Sequence, residues 1–204
     1  MESDEYHTIK APCKGLFKVK GSKHYGFVYP ILSEADVAPL LASLRKEYHD
    51  ARHHAYAYRL GYGGERWRAS DDGEPSNSAG PPILGALRSL ELTGCLAVVV
   101  RYFGGTKLGV GGLIEAYREA TLAAISNGSI DARYVEKAFV IQCPYGLVGG
   151  VMSRIDKSRG KLIKQDFSHN VTIEVHVRVS LADDFERQIA ATYGCHIKVL
   201  NNPQ

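Results

Sequence analysis

Gly104, Gly105, Gly109, Gly111 and Gly112 place five glycines in nine residues around Lys107, directly after Arg101, Tyr102 and Phe103. A backbone so free of Cβ atoms can take positive φ and lets a ligand approach closely. The apolar positions that follow, Leu113, Tyr117, Ala120 and Ala124, repeat at helical spacing, so the glycines stand at a helix N-terminus. First-turn N–H groups have no intrahelical partner and the aligned peptide dipoles converge on them, which favours an anion. With Arg101 and Lys107 flanking the loop, the indicated chemistry is binding of a phosphate or carboxylate. The spacing matches neither nucleotide fingerprint. Val110 and Gly111 stand where a P-loop has Lys and Ser/Thr, and Ile114 stands where a dinucleotide fold has its third glycine. The same glycines would equally serve a tight strand-to-helix connection that needs only close packing.

A second constellation lies upstream, where Asp71, Asp72 and Glu74 put three carboxylates into four residues around Gly73. Such an oxygen-rich cluster suits a hard cation or an arginine, although the alternating register of an EF-hand is missing. The plain alternative is a polar turn whose Asp side chains bond their own backbone. An arginine near the acids would offset their mutual repulsion, so the cluster is expected to face the glycine loop through Arg101. His53 and His54 are adjacent in a strand-like run and therefore point to opposite faces, so one of them at most serves a single site. No metal-ligand spacing is present, and neither a metal nor a cofactor is expected.

These groups need elements to hold them. Leu96, Val98, Val99 and Val100 form an apolar, largely β-branched run, the pattern of a strand covered on both faces. Residues 54–60 alternate as a strand, and Val37, Leu40, Leu41, Leu44 and Tyr48 share a helical face whose start Ser33 or Asp36 can cap. Ile83, Leu84, Leu87 and Leu90 mark a helix begun by Pro81 and Pro82. Phe17 to Tyr29 reads as a hairpin turning at Gly21-Ser22, with Lys18, Lys20, Lys23 and His24 as a solvated edge. The first dozen residues are expected to fray. Gly61 to Pro82 shows no period and reads as a long loop.

Beyond Gly128 the pattern changes. A polar link over 126–134 leads into strand, helix, strand, strand, helix, strand, the ferredoxin-like βαββαβ order, with Val171, Ile173, Val175, Val177 and Val179 strictly alternating. Two domains are therefore expected, 1–130 and 131–204. Arg154, Lys157, Arg159, Lys161 and Lys164 bunch around one turn of the second, as a solvated helix end or a phosphate contact.

The chain has 204 residues with 25 basic and 22 acidic side chains, too balanced to hold nucleic acid by bulk charge, which argues against long duplex DNA. No run approaches the roughly 20 apolar residues of a membrane span and no leader pattern opens the chain, so a cytoplasmic location without membrane contact is expected. Cys13, Cys95, Cys143 and Cys195 are scattered and read as small core residues.

Three stretches, DARHHAYAY from Asp50, SDDGEPSNSAGPPIL from Ser70 and VVVRYFGGTKLGVGGLIEAY from Val98, together resemble the IMPACT family in its bacterial, YigZ-like branch. The resemblance covers roughly residues 15–127, with the second domain matching the family's bacterial extension. It departs at Ser78, where Thr is usual, and at Pro81, where Lys is usual. It implies an α+β fold, with an S5-like two-layer α/β N-terminal domain followed by a ferredoxin-like C-terminal domain. It also implies a link to translation and the stress response and brings no established catalysis. The expected function is a non-enzymatic regulator that binds RNA, or a ribosome-associated protein, through the glycine loop. Tyr102 and Phe103 could stack unpaired bases while Lys107 takes phosphate. The competing expectation is a metal-assisted phosphoester-handling enzyme, with the acids holding the ion and His53 or His54 as acid or base. Convergence of both loops and a histidine in one cleft would favour the enzyme, and an open face the binder.

Overall fold

The structure is a computed structural model in which residues 4–168 and 170–200 are described. It divides into two compact units, Tyr6–Arg133 and, with residues 4–5, the stretch from residue 134 onward.

The first unit is built on a five-stranded antiparallel sheet of β2 (Cys13–Val19), β3 (Ser22–Pro30), β4 (His53–Leu60), β5 (Arg66–Ser70) and β6 (Cys95–Tyr102), in the order β2-β3-β6-β4-β5. β6 is central, and Cys95 to Val100 are all fully buried, which is why its sequence is an unbroken apolar run. Val37, Leu41 and Leu44 of α1 (Val37–Glu47) cover one face, against Phe27, Leu96, Val98 and Val100. α2 (Gly80–Ser89) and α3 (Gly109–Ser126) cover the other, against Val28, Ala55, Ala57, Ala97 and Val99. α3 lies so close to the sheet that a Cβ on Gly26 would stand 2.1 Å from the Ala120 carbonyl oxygen. β2 and β3 turn through Lys20-Gly21, both at positive φ, the pattern of a two-residue type I′ hairpin.

Three expectations are corrected. Instead of fraying, residues near the N-terminus form β1 (Glu5–Ile9), which pairs with β7 (Ile130–Tyr134). The polar link therefore contains a strand. The supposed long loop contains β5, paired along β4 from Tyr56↔Ser70 to Leu60↔Arg66. Its residues, Arg-Trp-Arg-Ala-Ser, carry no apolar alternation because an edge strand leaves them largely in solvent.

The second unit runs β8 (Glu136–Cys143), α4 (Val148–Lys157), β9 (Lys161–Phe167), β10 (Val171–Arg178), α5 (Val179–Ala190) and β11 (His196–Leu200). Its sheet is antiparallel in the order β11-β8-β10-β9, the ferredoxin-like arrangement. Phe139, Ile141, Ile173, Val175, Phe185 and Ile189 form its core, all fully buried. No helix among the described residues is long and apolar enough to cross a membrane.

Candidate functional site

The ladder puts three chemically active side chains on one rung. Arg101 near the end of β6 lies opposite His24 on β3 and His53 on β4, so all three share the face that carries α2 and α3. Arg101 is 9 % exposed, and its Nη1 donates to Glu74 Oε1 at 2.7 Å. The Tyr117 hydroxyl on α3 donates to the same oxygen at 2.7 Å. The Glu74 side chain is only 3 % exposed, so this is a buried carboxylate neutralised by one guanidinium and bound by one phenol. Burial, reinforced by the neighbouring Glu74 charge, pushes the Tyr117 phenol well above its ordinary range and keeps it a donor.

His53 is oriented by its backbone neighbour. Its Nδ1 lies 2.9 Å from the Asp72 carbonyl, which can only accept, so Nδ1 carries the proton. Nε2, 4.0 Å from Glu74 Oε1, is left as the free position. These groups line a cleft of about 890 Å³ together with Asp50, Arg52, Pro75, Tyr102, Phe103 and residues 107–110 and 113. Glu74 from the acidic loop, His53 from β4, and Arg101 with the residues after it therefore meet in one concavity. Arg101 Nε is buried with no hydrogen-bond partner, and the first turn of α3 has no side-chain cap. Arg101 and the first turn of α3 both line the cleft, so an arginine paired to Glu74 and an open helix N-terminus border the same space.

Several residues are placed differently from expectation. The three acids do not form one cluster. Asp71 accepts from the backbone N–H groups of Asn77, Ala79 and Gly80, capping α2. Asp72 accepts from the His54 N–H at 2.7 Å and pairs with Arg45 at 2.9 Å. Only Glu74 reaches the cleft, because Asp72 and Gly73 take positive φ and reverse the chain between them. His54 leaves the site: it points to the opposite face of β4, 4 % exposed, where burial lowers its pKa. Tyr102 is not free to stack, since its hydroxyl donates to Asp50 at 2.5 Å and its ring packs edge-on against Tyr25. Phe103 is 59 % exposed and remains available.

The glycines divide by purpose. Gly104 packs against the hairpin, where a Cβ would come within 1.9 Å of the Gly21 carbonyl carbon. Gly111, at negative φ, would meet nothing with a Cβ, so close packing does not explain it. α3 begins at Gly109, four residues before Leu113, so Gly109, Gly111 and Gly112 form its first turn, while Gly105 is in the loop. His24, grouped by sequence with the solvated lysines, is fully buried, edge-on to Tyr117 with ring centroids 5.3 Å apart. The alternation of β3 carried that signal, because Lys23 and Tyr25 flank His24 on the other face. Tyr117 carried another: a tyrosine on an apolar helical stripe requires a partner for its hydroxyl. Arg52 and Asp50 carried no chemical signal of their own, although both belong to the DARHHAYAY stretch.

The model of the Impact N-terminal domain matches residues 20–125, and that of a domain of unknown function, DUF1949, matches residues 141–193. The IMPACT family member YvyE of Bacillus subtilis is 30 % identical over 172 residues, covering 84 % of this chain and 79 % of the relative. The IMPACT family member YigZ of Escherichia coli is 33 % identical over 150 residues, 72 % of this chain and 74 % of the relative. A crystal structure described as that of a hypothetical protein aligns over 98 % of this chain and 99 % of its own, with TM-score 0.67 and 26 % identity.

Proposed function

Since the chain belongs to the IMPACT family, we propose that it is a non-enzymatic cytoplasmic regulator of translation and the stress response that binds single-stranded RNA at the cleft before α3. The observation that carries this is the meeting of Arg101, held by Glu74, with the uncapped N-terminus of α3 in a cleft that also contains Arg52, Lys107 and Phe103. One phosphate fits the helix terminus and the guanidinium, and an unpaired base has the face of Phe103 to stack on. The near balance of charge leaves the protein without the broad positive field that a long duplex requires.

Lys107 is exposed on the rim, so removing it tests the cleft without disturbing the core. Lys107→Ala should weaken binding of a short oligouridylate about 3- to 10-fold at low salt and flatten the salt slope by about one unit. A salt titration by fluorescence anisotropy measures both. Equal affinity and slope in the two proteins would remove the cleft from RNA binding.

On the criterion set out for the sequence, the shared cleft counts for a second reading, the phosphoester-handling enzyme. Both loops and an oriented histidine share one cleft, the arrangement a phosphoester-handling enzyme needs. Its metal-holding part is weakened, because Asp71 and Asp72 are engaged by backbone amides and Arg45. On the binder reading, oligouridylate incubated with the protein is recovered intact, with or without added magnesium. Release of phosphate or shorter fragments by the wild type, abolished in His53→Ala, would replace the binder with the enzyme.

A further inference from the structure

Beside the cleft, across Phe103, lies a second concavity of about 380 Å³ lined by Gly21, Lys23, Tyr25, Tyr48, Tyr102 and Phe103. We propose that it is a second nucleotide subsite, so that a single RNA strand held at α3 continues over Phe103 towards the tip of the β2–β3 hairpin. This deepens the RNA-binding reading and rests on it.

The two depressions are lined from opposite faces of the sheet and meet around the end of β6. Tyr102 and Phe103 line both. The glycine loop is fastened to the hairpin: Gly104 N–H donates to Ser22 Oγ at 3.1 Å, and Gly104 leaves no room for a side chain against Gly21. Tyr25, Tyr48 and Tyr102 pack on one another as the wall of the second subsite, with Tyr25 in ring contact with Tyr48 at 5.8 Å and Tyr102 at 6.0 Å, while the exposed Phe103 supplies the face on which a base can stack. Aromatic faces beside lysines are the usual means of holding unpaired bases without reading their sequence.

The charge at the hairpin tip supports this occupant. Lys18 and Lys23 are directly opposed in the β2–β3 register, and Lys20 sits in the turn between them. Like charges paired across a ladder cost stability, so the hairpin gains nothing by the arrangement. Lysines that guard a free sheet edge would belong on β2, yet Lys23 is on β3, between β2 and β6. A polyanion passing the tip would relieve the repulsion, and a phosphate following the base in the tyrosine subsite would supply that charge.

The test compares oligouridylate, long enough to reach the tip, with uridine 5′-monophosphate, which fills the cleft alone. The doubly substituted Lys20→Ala/Lys23→Ala protein changes two exposed side chains. It should lose about 3- to 10-fold in oligouridylate affinity and about one unit of salt slope, with uridine monophosphate held as before; Lys107→Ala should weaken both ligands. Unchanged oligouridylate binding in the double variant, with Lys107→Ala still impaired, would overturn the second subsite and leave the cleft standing. Failure of the wild type to bind oligouridylate at all would overturn both.

Discussion

Glu74→Ala should destabilise the Tyr6–Arg133 unit by about 3–5 kcal/mol, the cost of leaving a buried charge without its partner. Arg101 is 9 % exposed and its Nη1 is paired to Glu74, so truncation leaves a buried guanidinium without its counter-charge. The buried Tyr117 hydroxyl loses its acceptor in the same step. Glu74→Gln keeps an oxygen acceptor and should cost less, about 1–3 kcal/mol. Replacing the pair together, as Glu74→Leu/Arg101→Met, should recover part of the stability, since apolar groups of similar volume tolerate the site as well as the ion pair does, while the Tyr117 hydroxyl stays without its acceptor. Trp67, the single tryptophan of the chain, lies on β5 and reports this unit in urea titrations. A loss below about 1 kcal/mol for Glu74→Ala would mean that water reaches the pair and that it does not hold Arg101 for a ligand.

The second large effect is on acid stability. His24 is fully buried with both ring nitrogens unpartnered, and burial, aided by the facing Arg101 charge and opposed by Glu74, pulls its pKa down to about 4. The unfolded chain, with an ordinary histidine near 6.5, binds the proton more readily than the folded one. Stability is therefore complete above about pH 6.5 and falls as the pH drops towards about 4, by a total on the order of 3 kcal/mol. His54, also shifted down by burial, adds to the same slope. His24→Leu, which removes both orphaned nitrogens, should flatten the stability profile between those limits without abolishing it. Urea midpoints across this range for wild type and variant decide the matter; identical profiles would mean that His24 finds a partner or water in solution.

The rung His24–Arg101–His53 shows how far the chain could be read before it was folded. Arg101 and His53 were both recognisable as candidates from residue type and position, and the opposite orientation of His53 and His54 followed from strand alternation alone. Their meeting with Glu74 depends on two reversals, at Asp72 and Gly73, and on the sheet order that sets β4 beside β6. Neither has a periodic signature. The edge strand β5 was missed for the converse reason, since exposure erases the alternation by which strands are recognised.

What the sequence by itself determined was therefore whatever one-dimensional period encodes. The buried run of β6, the amphipathic stripes of α1, α2 and α3, the βαββαβ order of the second unit and the glycines at a helix start are all written as spacing of apolar residues and absence of side chains. Only the tertiary structure decided how the three acids are used, because their fates depend on which partner lies within hydrogen-bond reach. Asp71 meets the open amides of α2, Asp72 an amide of β4 and an arginine of α1, and Glu74 the buried guanidinium and phenol. Neighbouring carboxylates of nearly equal intrinsic chemistry thus become a helix cap, a strand tie and the floor of the cleft, since a charged group's role is set by the desolvation and partners that folding imposes on it.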